Sequence, residues 1–228
     1  MPVALLVGGA LFVAVLFGPS LWVRSIMRKY QAERGDFPGS GGELARHLLD
    51  KAGLDYVRVE ETPMGDHYDP KAKAVRLTPP NFTGRSLTAV TVATHEVGHA
   101  LQDRDDYGPL RARTQWVLAT AWVERVGPLL IMAAPFIGLI VKSPAIGLLS
   151  VATGLLILAG RIIVHAFTLP TEFDASFNRA LPILDQGDLI PKDDLKPARR
   201  ILTAAALTYL AGAMMSLVDI IRWLRYLR

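Results

Sequence analysis

At 228 residues, the chain can form one ordinary domain, or a small domain together with several membrane-spanning helices. It contains no cysteine, which excludes disulfides, thiol nucleophiles and thiolate metal sites, so any bound metal requires His, Asp or Glu ligands. Hydrophobic residues make up 51% of the chain, and the net charge of +4 reflects arginines beside apolar runs, which does not favour nucleic acid as a partner.

The first apolar run occupies residues 3–23, about the length that crosses the hydrocarbon layer of a membrane. No basic residue precedes this run, as one would in a cleaved signal peptide. Four basic residues follow it within residues 24–34, and positive charge accumulates on the cytoplasmic side of membranes. Residues 1–24 are therefore predicted to be an uncleaved transmembrane anchor with its N-terminus outside the cell.

A small α+β domain is predicted for residues 40–110, in the order helix, strand, strand, helix. Residues 43–53 place apolar side chains at helical spacing, whereas residues 56–61 and 73–78 alternate as half-buried strands do. The long helix that follows contains the sequence VATHEVGHALQ at residues 92–102.

Further apolar segments follow this domain. Residues 126–141 and 145–160 are joined by a short polar turn, so residues 116–168 are predicted to form a transmembrane hairpin. Residues 169–197 are predicted to contain a charged helix, and residues 198–228 a C-terminal transmembrane or interfacial helix. The predicted fold class is thus a mainly α membrane protein with about four transmembrane helices and a zincin-like α+β domain between the first two.

The motif HEVGH carries the chemistry of the predicted domain. His95 and His99 are four residues apart on a helix, so their imidazoles lie on one face and can reach one Zn²⁺ at about 2.0–2.1 Å. Glu96 lies off the line of the two ligands, where it can accept a proton from water as a general base. Gly98 leaves the neighbouring face bare, so another backbone can approach there.

A catalytic zinc site needs three protein ligands and one open position, so a third ligand is required. Asp105 lies six residues beyond His99, where one class of metalloprotease places an acid, but that arrangement needs a glycine turn that this chain lacks. Four residues are candidates for the third ligand: Asp105, His165, His67 and Glu172.

Glu172 is the favoured third ligand. Pro170 can begin a helix at its first turn, and Glu172 then projects from that second helix. Asp174 faces elsewhere on the same helix, where it is predicted to accept a hydrogen bond from a ligand histidine.

The combination of DHYDP, HEVGHALQ and LPTEFDAS resembles the neutral zinc metallopeptidases of bacterial membranes, and the match covers most of residues 40–182. This resemblance implies a membrane-embedded metallopeptidase of zincin type. The carboxylate segment also resembles the E-x-x-A-D pattern of the HtpX-like and CAAX prenyl proteases. That pattern implies Glu172 as the third zinc ligand and matches Ala175, but Ser176 stands where it has aspartate, so the role of that aspartate does not carry over.

Together, the residues and the resemblance predict a zinc-dependent endopeptidase that hydrolyses membrane-associated or cytoplasmic polypeptides. Zn²⁺ is expected on His95, His99 and Glu172, with Glu96 as the catalytic base. If the N-terminus lies outside, the hairpin leaves the cytoplasm and returns to it. The expected location is therefore the bacterial cytoplasmic (inner) membrane, multi-pass, with the active site facing the cytoplasm.

Two segments near the motif have expected roles in the substrate cleft. The strand at residues 73–78 is expected to be an exposed edge on which substrate adds as a further strand. The DHYDP segment is either a turn held by Asp66 and Asp69, or it brings His67 or Tyr68 into the cleft as an oxyanion donor.

The alternative function is a catalytically silent zinc-binding membrane scaffold or adaptor, against which the intact Glu96 argues. A metal transporter is a further alternative, but its ligands are expected within membrane spans, whereas the HEVGH helix has charged ends. The expected partners are a polypeptide substrate, the lipid bilayer, and a regulatory membrane protein or a second copy of the chain, with no nucleic acid.

Overall fold

The computed structural model describes the backbone at residues 3–212 and 214, and part of the side chains within the longest helices. The helices and strands in chain order are α1 (Val3–Lys29), α2 (Gly41–Lys51), β1 (Arg58–Glu61), β2 (His67–Asp69), β3 (Ala74–Leu77), α3 (Pro79–Phe82), α4 (Leu87–Arg104), α5 (Gly108–Ile140), α6 (Pro144–Phe173), a π-helix (Asp174–Ala180), α7 (Leu181–Gln186), a 3₁₀ helix (Lys192–Asp194) and α8 (Leu195–Ala206). The chain divides into two compact units, one of residues 1–19, 112–168 and 209–228, the other of residues 20–111 and 169–208.

Helix α4 lies at the centre of the unit formed by residues 20–111 and 169–208. It packs against α2, the π-helix and α8, and most of its side chains are buried on all sides. Ser86 begins the helix, and its hydroxyl accepts a hydrogen bond from the amide of Ala89, 3.0 Å away. A helix that is buried all round is fixed in position by its neighbours, so residues on α4 have little freedom to move.

The sheet has three strands in the order β1-β3-β2. β3 runs parallel to β1, with Arg58 opposite Ala74, and antiparallel to β2, with Tyr68 opposite Val75. β3 is therefore the central strand, and the prediction that residues 73–78 form an exposed edge is wrong. Sequence alternation reports which face of a strand is buried, but it does not report the neighbours on either side, and β2 is too short to show a period.

The structure also corrects the predicted fold class, a mainly α membrane protein with about four transmembrane helices. The chain is mostly helical with a small sheet, but no helix within the described residues is both long enough and apolar enough to cross a membrane. The prediction of four spans is thus wrong, because the length and apolar content of a sequence window do not by themselves establish a spanning helix. In the predicted C-terminal helix, residues 213 and 215–228 lie outside the described part.

The other unit is built around α5 and α6, which are joined by residues 141–143. Lys142 in this connection has a positive φ of 50°, and the amide of Ser143 donates to the carbonyl of Gly138, 3.1 Å away. The described side chains of this unit include large exposed apolar residues, among them Leu129, Met132, Phe136, Leu139, Ile140, Leu148 and Leu149.

Gly98 sets the approach of α4 to the π-helix. A Cβ atom at Gly98 would lie 2.8 Å from the carbonyl oxygen of Ala175, closer than real Cβ atoms approach a backbone oxygen. The absence of a side chain thus lets the two backbones meet, as the sequence indicated.

Gly98→Ala is expected to destabilise the fold by about 1–3 kcal/mol, because the added methyl group must push the π-helix away. Thermal or urea unfolding of the purified chain measures this loss. Gly108→Ala is the control, because a Cβ atom at Gly108 meets nothing within 4 Å. Equal stability of the two variants would show that the close approach is not required.

Candidate metal centre

His95 and His99 project from one face of α4 towards the same point. Their ring centroids are 4.8 Å apart, the rings are nearly perpendicular, and both side chains are buried. This follows from the helical spacing, since residues four apart stand one above the other on a helix. The two imidazoles therefore supply two donor nitrogens that face one point.

Glu172 completes the group from the last turn of α6, just before the π-helix. Its Oε2 atom lies 3.3 Å from Nε2 of His95 and 3.3 Å from Nε2 of His99. The ligand atoms of the three residues all lie within 4.8 Å of one another, and no other group of this kind occurs among the described residues. Of the four candidates for the third position, the structure thus brings Glu172 to the two histidines.

The donor set fits zinc. Two imidazole nitrogens and one carboxylate oxygen are the ligands of a catalytic zinc site that keeps a fourth position open. Burial opposes ionisation of Glu172, but the charge of His99 and hydrogen bonds from both histidines outweigh it and hold the pKa of Glu172 well below its usual range. The carboxylate is therefore anionic at neutral pH, in the form that binds a cation.

Ser176 holds His95 in the orientation that metal binding needs. Its Oγ atom lies 3.1 Å from Nδ1 of His95 and donates its proton to the carbonyl oxygen of Leu202, 3.2 Å away. Because that single proton is used, Ser176 accepts a hydrogen bond from the Nδ1–H of His95, so Nε2 is the nitrogen that remains to bind a metal. The serine thus supplies an acceptor at the position where the related pattern has aspartate.

Gln102 is the corresponding hydrogen-bond acceptor for His99. Its Oε1 atom lies 2.9 Å from Nδ1 of His99, and its amide nitrogen donates to the carbonyl of Thr171 at 2.8 Å and to Oδ2 of Asp174 at 2.7 Å. Both partners of that nitrogen are acceptors, so the orientation of the amide is determined, and Oε1 accepts from His99. Asp174 therefore supports His99 through Gln102, whereas the sequence had placed it directly on a ligand histidine.

Comparisons with known proteins agree with this geometry. The family described as "Putative neutral zinc metallopeptidase" matches residues 5–228. The chain belongs to this family. It is also 36% identical over 212 residues to the "Putative membrane protease YugP" of Bacillus subtilis (strain 168), with 90% of each chain covered. No solved structure matches the chain. The resemblance to the neutral zinc metallopeptidases is confirmed, and zinc is the cofactor of the family to which this donor set belongs.

Glu96, the predicted catalytic base of this family member, is buried on α4 beside His95. Asp105 lies outside the metal group, where it forms ion pairs with Arg104 and Arg179. The side chain of His165 lies outside the described residues.

The DHYDP segment forms β2 together with the residue before it and the first residue of the turn after it. Tyr68 is buried and donates a hydrogen bond to Oδ2 of Asp103 at 2.6 Å, and burial together with this bond raises the pKa of Tyr68 well above its usual value. Nδ1 of His67 lies 2.8 Å from the carbonyl oxygen of Gly65. Asp66 accepts hydrogen bonds from the amide of Thr78 and from other groups after β3. Neither His67 nor Tyr68 belongs to the group of ligand atoms.

Sequence reasoning missed the roles of Ser176 and Gln102. The signal for Ser176 was its place in the E-x-x-A-D pattern, where a hydroxyl offers the acceptor that the aspartate would offer. The signal for Gln102 was its position three residues after His99 on the same helix, within reach of its ring.

Ser176→Ala is expected to weaken zinc binding roughly 10- to 100-fold, because it removes the acceptor for His95. It also leaves the buried Nδ1–H of His95 without an acceptor, which costs about 1–3 kcal/mol of folding stability. Competition with a chromophoric chelator measures the zinc affinity. Thr203→Val is the control, because the hydroxyl of Thr203 bonds only to the carbonyl of Arg199 in its own helix. Unchanged zinc affinity in Ser176→Ala would contradict this role.

Proposed function

We propose that the chain is a zinc-dependent endopeptidase that hydrolyses peptide bonds of membrane-associated or cytoplasmic polypeptides at the inner surface of the membrane. The observation that carries the proposal is the convergence of His95, His99 and Glu172 in a buried group, with the acid Glu96 next to it on α4. Membership of the zinc metallopeptidase family and the name of the Bacillus relative support the reaction class.

Zinc, when bound, acts as a Lewis acid that acidifies water and polarises a peptide carbonyl. Glu96 removes the proton from the attacking water and passes it to the leaving amine. Ser176 and Gln102 keep the imidazoles of His95 and His99 aimed at one point throughout. The buried surroundings of these side chains exclude bulk water, which strengthens each electrostatic interaction in the site.

The number of ligands favours an enzyme over a zinc-binding scaffold. Structural zinc sites are closed by four protein ligands, whereas catalytic sites have three. The described residues bring three ligand atoms together. A scaffold also has no need of a buried acid such as Glu96 directly after the first ligand.

The substrate is proposed to bind as an added strand along β2. With β3 in the centre of the sheet, β2 is the edge strand that packs on α4, the helix that bears the metal group. An extended peptide paired with β2 would run past this helix, since main-chain hydrogen bonds hold such peptides at sheet edges.

The proposed location is the cytoplasmic face of the bacterial inner membrane. It is supported by the relative that is named a membrane protease and by the four basic residues within 24–34, since basic segments are attracted to the anionic cytoplasmic surface of a membrane. A fluorescent reporter inserted at the exposed Met64 is expected to fluoresce in membrane-bound protein inside the cell. Activity of an exported phosphatase inserted at the same place would overturn this location.

Glu96→Gln is expected to retain zinc and to lower kcat about 100-fold or more, because the amide cannot accept the proton from water. Zinc content is measured by mass spectrometry, and cleavage is followed with casein in detergent solution.

Glu61→Gln is the control for the change of charge, because Glu61 is an exposed residue of β1. Full activity of Glu96→Gln would refute the proposed base, and zinc binding without cleavage in the unsubstituted chain would favour the scaffold.

A further inference from the structure

We propose that four residues form a positioning chain that connects the zinc ligand His99 to the protein surface: Gln102, Asp174, Arg179 and Asp105. This inference rests on the proposed zinc site. Asp105 contacts none of the zinc ligands, but it is inferred to affect the zinc affinity through these hydrogen bonds.

The inner end of the chain is the amide of Gln102. This side chain is completely buried, accepts from His99 and donates to Asp174 at 2.7 Å and to the carbonyl of Thr171. A rotation of the amide would leave His99 without its acceptor and would turn the amide oxygen of Gln102 towards two other acceptor oxygens, those of Asp174 and Thr171. The position of Gln102 therefore depends on the position of Asp174.

Arg179 fixes Asp174 in turn. The Nε atom of Arg179 donates to Oδ2 of Asp174 at 2.9 Å, and its Nη1 atom donates to Oδ2 of Asp105 at 2.6 Å. Asn178 donates to the other oxygen of Asp174 at 2.9 Å. One planar guanidinium thus links two carboxylates, Asp174 through Nε and Asp105 through Nη1, and sets the distance between them.

The chain reaches solvent at its outer end. The side chains of Asp174 and Arg179 are 13% and 17% exposed, whereas that of Asp105 is 39% exposed. Asp105 is also held by Nε of Arg104 at 2.8 Å. A change at this surface carboxylate releases one arm of Arg179, and the loss of alignment passes to Asp174 and Gln102.

The two ligand histidines differ in this respect. The acceptor of His95 is Ser176, a fully buried hydroxyl that ends at the carbonyl of Leu202, with no charged residue in the connection. Of the two acceptors, only that of His99, Gln102, is connected to an ion pair at the surface. Zinc affinity is therefore expected to respond to surface charge through His99 alone.

The test measures the zinc dissociation constant of the full chain by chelator competition. Gln102→Met preserves the size of the side chain but removes the acceptor, so zinc binding should weaken roughly 10- to 100-fold. Asp105→Asn should weaken it by about two- to fivefold, the scale of a partly exposed ion pair. Asp106→Asn is the matched control, because Asp106 is the next residue and pairs only with Arg111.

A double-mutant cycle separates transmission from a general structural effect. If Asp105 acts through Gln102, Asp105→Asn should have no further effect on zinc affinity in the Gln102→Met variant. Equal factors in both backgrounds, or equal affinities of Asp105→Asn and Asp106→Asn, would overturn the proposal.

Circular dichroism of the zinc-free variants checks that each one folds. If Gln102→Met does not fold, the comparison of Asp105→Asn with Asp106→Asn decides the matter by itself. Failure of this proposal can also be told apart from failure of the proposed function. A chain that binds no zinc would refute the zinc site, whereas a chain that binds zinc but cleaves no peptide leaves these affinities fully measurable.

Discussion

The close approach of α4 and the π-helix at Gly98 is the constraint on which the rest of the site depends. Contact of the Gly98 position with the backbone of Ala175 fixes the distance between two helices that are far apart in the sequence. Glu172 precedes this contact point and Ser176 follows it, so the same approach brings one ligand and one anchor to His95. π-Helical turns are rare and occur often at functional sites, where they change the direction of neighbouring side chains.

The two histidine ligands could be predicted from the sequence because their placement depends only on local helix geometry. A spacing of four residues places His95 and His99 on one helix face, whatever the rest of the fold does. Glu172 was reached by the need for a third ligand and by the resemblance of its segment to a known pattern. The confirmed family supports that reasoning, and the structure brings the three side chains together. The catalytic role of Glu96 stays a prediction.

Other features depend on contacts between distant segments, which a single sequence does not show. The central place of β3 follows from its pairing with both β1 and β2, and hydropathy alternation is the same in central and edge strands. The acceptor for His99 is Gln102, whose amide is oriented by Thr171 and Asp174 across the fold. The prediction of transmembrane helices was wrong for a different reason. The apolar content of a sequence window does not establish a spanning helix, and none is found among the described residues.

Two histidines and one glutamate are expected to hold a single zinc ion in this chain. Zinc K-edge X-ray absorption of the loaded chain tests it most directly, because the fine structure counts imidazole ligands. We expect two imidazole nitrogens together with oxygen ligands at about 2.0–2.2 Å, and loss of an oxygen ligand in Glu172→Ala. Three imidazoles around the metal, or an unchanged spectrum in Glu172→Ala, would contradict it.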